Sequence, residues 1–109
     1  FALSWPERYP YAFGTLDLVK AGHLTFGEPD LETFPALALA RHCGEAGGVL
    51  PCVFNAANEV AVERFLAGQI KYLDIYKTTE QVVGKFTAGG SCTLEDIELA
   101  DKEARALAR

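Results

Sequence analysis

The 109 residues predict a mainly α fold, an antiparallel four-helix bundle preceded by an extended arm with short strands. Three observations carry this expectation. From Asp30 onward apolar residues recur at helix spacing in four segments, and glycine-containing breaks separate those segments. Residues 1–29 hold three of the five prolines, Pro6, Pro10 and Pro29, together with Gly14, Gly22 and Gly27, which interrupt any helical period. Residues 1–29 therefore read as an arm and linker, and residues 30–109 as the helical bundle.

Within the arm, Phe1, Leu3 and Trp5 alternate with small residues as a half-buried strand does, and Leu24 to Phe26 form a second strand candidate. The first helix is expected to start near Thr33, with Thr33 as cap and Pro35 tolerated in the first turn, and to stop at Gly47 and Gly48. The second runs from about Pro51 to Ala67. Its apolar positions Val53, Phe54, Ala57, Val60, Ala61 and Phe65 lie on one broad face that Val62 and Leu66 extend, so it is expected to be the most buried. The third, about Asp74 to Phe86, is expected to use Asp74 as its cap and to bury Ile75, Thr79, Val82, Val83 and Phe86; Gly89 and Gly90 close the excursion after it. The fourth opens on Thr93-Leu94-Glu95-Asp96, a capping box with Asp in the Glu place, and directs Leu94, Ile97, Ala100, Ala104 and Leu107 inward. Short connections favour antiparallel neighbours.

Composition narrows the function classes. A chain of this length buries only about two-thirds of the surface its unfolded form exposes, so a missing neighbour matters to its stability. The formal charge is −5 and the basic residues are scattered, which argues against nucleic-acid binding. Apolar runs extend for only a few residues, far below the roughly 18–20 that cross a bilayer, so no membrane partner is expected. Three cysteines, Cys43, Cys52 and Cys92, without a C-x-x-C pair, fit a reducing compartment. The absence of methionine reads as a piece of a longer chain.

Few residues carry chemistry. Asn55, Glu59 and Glu63 share one face of the second helix, with Asn58 beside them. Two carboxylates four apart are compatible with a metal, but a di-iron bundle needs Glu-x-x-His from two helices and none is present. A structural or docking role outweighs ligation. His23 and His42 stand away from other ligands and read as surface residues, while Cys43 and Cys52 read as small core residues. The glycine pairs are helix stops rather than phosphate loops, and Gly27-Glu28-Pro29-Asp30 reads as a turn rather than a cation site. Trp5-Pro6 is a rigid aromatic turn that either packs or lines a pocket.

The order of the motifs says more. Ala2-Leu3-Ser4-Trp5-Pro6-Glu7-Arg8, Leu16-Asp17-Leu18, Leu24-Thr25-Phe26, Glu28-Pro29-Asp30 and Phe34-Pro35 are followed by Asn55-Ala56-Ala57-Asn58-Glu59-Val60. Phe65-Leu66-Ala67-Gly68-Gln69-Ile70, Leu73-Asp74-Ile75, Leu94-Glu95-Asp96 and Ala100-Asp101 complete the run. This order resembles, from end to end, the C-terminal region of the 1-deoxy-D-xylulose 5-phosphate reductoisomerase family. The resemblance implies a homodimeric parent enzyme of non-mevalonate isoprenoid biosynthesis that uses NADPH and Mg²⁺ or Mn²⁺. It would form 2-C-methyl-D-erythritol 4-phosphate, in a bacterial cytoplasm or a plastid.

The resemblance also implies that the NADPH-binding and catalytic domains lie upstream, so no catalytic, cofactor or metal residue falls in this chain and the chain alone is inactive. It implies that Trp5 and Pro6 lie near the substrate pocket and that the bundle braces the catalytic domain, with Asn55, Asn58 and Glu59 as the docking candidates. Tyr9 to Thr15 is more aromatic than the family's linker. Two other readings compete: an independent helical interaction module offering a groove to a partner, and a small stand-alone metalloenzyme.

Overall fold

The computed structural model describes residues 2–10, 14–89 and 92–109. Among them the regular structure is wholly helical: α1 (Leu18–Ala21), α2 (Ala36–Ala46), α3 (Leu50–Leu66), α4 (Tyr72–Val83) and α5 (Leu94–Ala108). Helix α3 is the hub. It packs against α2, α4 and α5, and α4 also meets α5.

The expected strands are not present among the described residues. Residues 2–6 form turns around a cis Trp5–Pro6 bond, with the Glu7 N–H donating to the Ser4 carbonyl at 2.8 Å, and Leu24 to Phe26 carry no regular structure. Phe1, the first residue of the expected alternation, lies outside the described residues, as do Gly90 and residues 11–13 of the aromatic stretch. A strand needs a neighbour to complete its ladder of backbone hydrogen bonds, and no such pairing forms among the described residues. The arm instead contains α1, a single turn that the sequence reading missed. Asp17 starts it by accepting the N–H groups of Val19 and Lys20 at 3.0 and 3.1 Å, and Gly22 ends it.

The arm stands away from the helices. Every described residue before Pro35 is exposed except Ser4, and Leu3, Val19 and Phe26 are 104, 91 and 88 % accessible. The radius of gyration is 18.4 Å, against about 13 Å for a compact domain of this length. The excess reflects the exposed arm.

Helix starts follow side-chain chemistry more than periodicity. Thr33 does not cap α2; Asp30 turns the chain before it, its carboxylate accepting the N–H groups of Glu32 and Thr33 at 3.2 and 2.9 Å. Asp74 sits inside α4 and not at its cap. From the third position it accepts the Lys71 N–H at 3.0 Å, the reciprocal half of a capping box, while Lys71 has no acceptor for the other half. In α5 both halves form: Asp96 N–H donates to Thr93 Oγ1 at 3.2 Å and Thr93 N–H to Asp96 Oδ2 at 2.8 Å.

The core consists mainly of small side chains. Leu50, Val53, Ala56, Ala57 and Val60 of α3 meet Val82 and Val83 of α4, Ala100, Ala104 and Ala108 of α5, and Cys43 of α2. Ala61 is fully buried as well, so α3 is the most buried helix, as its broad apolar face predicts. Alanines four apart on α5 let that helix approach α3 closely. Leu66, Leu94 and Leu107, expected inside, lie on faces without cover and are 77, 71 and 39 % exposed.

Gly48 marks where the α2–α3 turn meets the α4–α5 connection. A Cβ there would stand 2.7 Å from the Gly89 carbonyl oxygen, and its φ is +59°. Gly47 has φ +70° but open space around it. Gly47→Ala is therefore expected to cost about 1–2 kcal/mol from left-handed strain alone. Gly48→Ala should cost a further ~1–3 kcal/mol, because backbone must move. Urea denaturation of the two variants checks this, and equal losses would contradict the close approach.

Candidate functional site

Helix α3 carries polar residues on two different edges, and the structure separates what the sequence reading grouped. Asn55 and Glu59 are one turn apart, and Asn55 Nδ2 donates to Glu59 Oε1 at 2.8 Å. The other carboxylate oxygen, Oε2, accepts from Arg105 Nη2 of α5 at 2.7 Å, while Arg105 Nε donates to Asp101 Oδ2 at 2.8 Å. Both Glu59 oxygens are thus committed within the chain. The Arg105 hydrogen bond, helped by Asn55, holds the Glu59 carboxyl below its usual range. Asp101 and then Glu59 raise the guanidinium further above its already high value. This network clamps α3 to α5.

Asn58 lies on the other edge. It is half-buried, and its amide has no hydrogen-bond partner among the described residues. It lines an open apolar groove of about 550 Å³ between the lead-in to α2, the outer face of α3 and the start of α4. Phe54 and Val62, each one turn from Asn58, form the floor with Ile75; Phe34, Tyr72 and Leu73 form the lip. These lip residues are 61, 66 and 67 % exposed. Phe65 braces Tyr72 edge-on, ring centroids 5.8 Å apart. Thr79, buried beneath, satisfies its hydroxyl on the Ile75 carbonyl at 2.9 Å and adds no free polar group.

At the far end of α3, Arg64 Nη1 donates to the Ala108 carbonyl at 2.7 Å and so caps α5, while its Nε is buried without a partner among the described residues. Cys43 is buried and Cys52 half-buried with its thiol on the Ile97 carbonyl at 3.7 Å; burial pushes both thiols up. Both are packing residues. His23 and His42 are exposed.

Trp5 and Pro6 do not line the groove, and Trp5 is 73 % exposed. The sequence reading missed Asp101 and Arg105, although their spacing of four on a helix is the signal for such a pair. It also missed the groove lip. There the available sign was large apolar residues, Phe34, Tyr72 and Leu73, falling outside the inward stripes.

A divalent metal needs several oxygen donors converging. Among the described residues no three His, Cys, Asp or Glu side chains gather to offer them. Asn55 and Glu59 are held by each other and Arg105, and Glu63 is exposed. The donor set does not fit a resident Mg²⁺ or Mn²⁺. No helix is long and apolar enough to cross a membrane among the described residues.

Comparison with known proteins places these features in context. The family described as DXP reductoisomerase C-terminal domain matches residues 1–107. The chain is 50 % identical over 108 residues to the 1-deoxy-D-xylulose 5-phosphate reductoisomerase of Thermosynechococcus vestitus, covering 97 % of this chain and 26 % of that protein. It is 47 % identical over 107 residues to that of Pseudomonas syringae pv. tomato, covering 98 % and 27 %. Among solved structures it is similar to the reductoisomerase from Zymomonas mobilis in complex with NADPH. That match has a TM-score of 0.82 and 42 % identity, and covers 97 % of this chain and 28 % of that one. The chain spans about a quarter of the length of these relatives. With a family match running over almost its whole length, the chain belongs to the DXP reductoisomerase C-terminal domain family.

Proposed function

We propose that this chain is the C-terminal structural domain of an NADPH-dependent reductoisomerase that converts 1-deoxy-D-xylulose 5-phosphate to 2-C-methyl-D-erythritol 4-phosphate in non-mevalonate isoprenoid biosynthesis. The observation that carries the reading is the family match over residues 1–107. Residues 1–29 are the end of the catalytic domain and its linker, and residues 30–109 are the helical domain. Helices α2 to α5 form an antiparallel four-helix bundle, a reading supported by the short connections 47–49 and 67–71.

NADPH and Mg²⁺ or Mn²⁺ belong to the parent enzyme's upstream domains, since Asn55 and Glu59, the polar pair on α3, are spent on each other and on Arg105. The parent is a homodimer of the bacterial cytoplasm or of a plastid. The chain's own contribution is mechanical: it covers apolar surface of the catalytic domain and holds the arm, with Trp5 and Pro6, beside the substrate pocket.

The docking role expected of Asn55, Asn58 and Glu59 divides. Asn58, with an unspent amide in an apolar groove, faces the rest of the enzyme. Asn55 and Glu59 serve docking indirectly, by keeping α5 on α3.

Two outcomes are expected. Removing residues 30–109 from the full-length enzyme should lower turnover of the sugar phosphate by about a hundredfold or more, the scale of a lost positioning effect. NADPH oxidation followed with and without the domain measures this, and unchanged turnover would contradict the bracing role. The second concerns the clamp. The folded-state pKa of Glu59 is depressed, so its stabilisation is present above the ordinary value of 4.5 and is lost as pH falls through the lower folded value. Glu59→Gln should therefore be less stable than the parent sequence at pH 7. The gap should close in strongly acidic solution, as urea midpoints across pH report.

A further inference from the structure

We propose that Cys52 and Cys92 form a reversible redox latch, in which a low-molecular-weight disulfide oxidises the two thiols to one bond that ties the α4–α5 connection to the first turn of α3. Packing is the role of Cys52 in the reduced chain; the latch is a second role for the same thiol and does not depend on the enzyme reading.

The fold brings the two thiols together from both sides of Cys92. Cys52 is the third residue of α3, and its thiol donates to the Ile97 carbonyl of α5 at 3.7 Å. Ile97 is the fourth residue of α5, and Cys92 immediately precedes the cap, Thr93. Those two positions are the pair that packs in a hydrophobic staple at a helix start. From 92 to 99, Cys92 and Ile97 are half-buried and the other residues are exposed, which is the staple's burial pattern. The carbonyl that receives the Cys52 thiol therefore belongs to the residue a staple sets beside Cys92.

On the other side, a Cβ on Gly48 would stand 2.7 Å from the Gly89 carbonyl oxygen, so the turn leading into α3 touches the connection leading to Cys92. Gly89 precedes Cys92 by three residues, a span of at most about 10 Å. Cys92 is thus held between two points, Gly89 and Ile97, that both lie against the start of α3. Burial raises the Cys52 thiol most, Asp101 raises it further against the opposing Arg105, and the nearby Cys92 adds to the rise. Cys43 does not share the site; it is buried in the core from α2.

The raised Cys52 is a poor first nucleophile, because the thiolate is the attacking species. Cys92, outside regular structure, reacts first. Its thiolate attacks one sulfur of glutathione disulfide, a Cys92–glutathione bond forms and one glutathione thiolate leaves. Cys52 then loses its proton and attacks Cys92 Sγ, displacing the second glutathione thiolate. Two protein thiols lose two electrons, one glutathione disulfide becomes two glutathione thiols, and the two protein protons end on the two leaving groups. A bond between half-buried sulfurs stays within reach of reductant, the property of labile rather than structural disulfides. It closes a loop that holds the rest of α3 and all of α4, and so fastens the α3–α5 seam at its start.

The test treats the full-length protein with glutathione disulfide, blocks remaining thiols and maps unreduced peptides by mass. The expected product is a peptide joined through Cys52 and Cys92 that separates on adding dithiothreitol. In Cys52→Ser the reaction should stop one step earlier, with glutathione left on Cys92. Unreacted Cys92, glutathione persisting on Cys92 in the parent sequence, or a bond from either thiol to any other cysteine would overturn the proposal. Amide hydrogen exchange over residues 94–98 supplies the second readout. It should slow about tenfold or more when the parent sequence is oxidised and remain unchanged in treated Cys52→Ser. Equal exchange in the oxidised and reduced parent sequence would overturn the latch even where the bond forms.

Discussion

Close approach between α3 and α5 is the constraint on which the other features rest. Ala100, Ala104 and Ala108 present one face of α5 to the Ala- and Val-rich surface of α3, and side chains that small leave little apolar area between the helices. Burial stabilises in proportion to area, at about 25 cal/mol per Å², so a seam built from alanine depends on fit and on polar fastening at its edge. Two fasteners lie along it. Arg105 joins Asp101 and Glu59 midway, and Arg64 holds the last carbonyl of α5 at its end. The Gly48–Gly89 approach closes the opposite end, where two connections touch with no room for a side chain.

From this seam follows what is left uncovered. With α3 packed against α2, α4 and α5, its outer edge of Phe54, Asn58 and Val62 is left half-buried by the described residues and lines the groove. Leu66, Leu94 and Leu99 are all more than 60 % exposed. Exposed apolar residues scattered singly are ordinary, but a contiguous lip around a groove marks an interaction surface. The arm tells the same story in extended form, with eight large apolar side chains exposed among its described residues from Leu3 to Phe26.

The helices were legible in the sequence because their signals are local. Apolar spacing located α2 to α5 within a few residues, and Thr93 with Asp96 fixed the start of α5. Where capping is shared among several residues, the periodic signal misled. Thr33 looks like a cap, yet Asp30 has the carboxylate that reaches two N–H groups. Leu94 and Leu107 looked inward because helical spacing gives a face but not which neighbour, if any, covers it. Strands at Leu3 and Leu24 failed for a related reason: alternation describes a sheet surface only when a second strand is there to pair with. The candidate site was half legible. Asn55, Asn58 and Glu59 stood out as polar residues on an apolar helix. Their division into a clamp and a groove wall depends on where α5 and α4 sit, which one helix's sequence does not encode.

The central claim is that the apolar surface these 109 residues leave open is interior surface of a larger enzyme. Hydroxyl-radical footprinting of the full-length protein reads side-chain accessibility directly at Trp5, Phe26, Phe34 and Tyr72. The account predicts that Phe26, Phe34 and Tyr72 react far more slowly in the native protein than after urea unfolding, and that Trp5, which the proposed function sets beside the substrate pocket, slows further when sugar phosphate is bound. Native reaction rates equal to the unfolded rates at Phe34 and Tyr72 would contradict it.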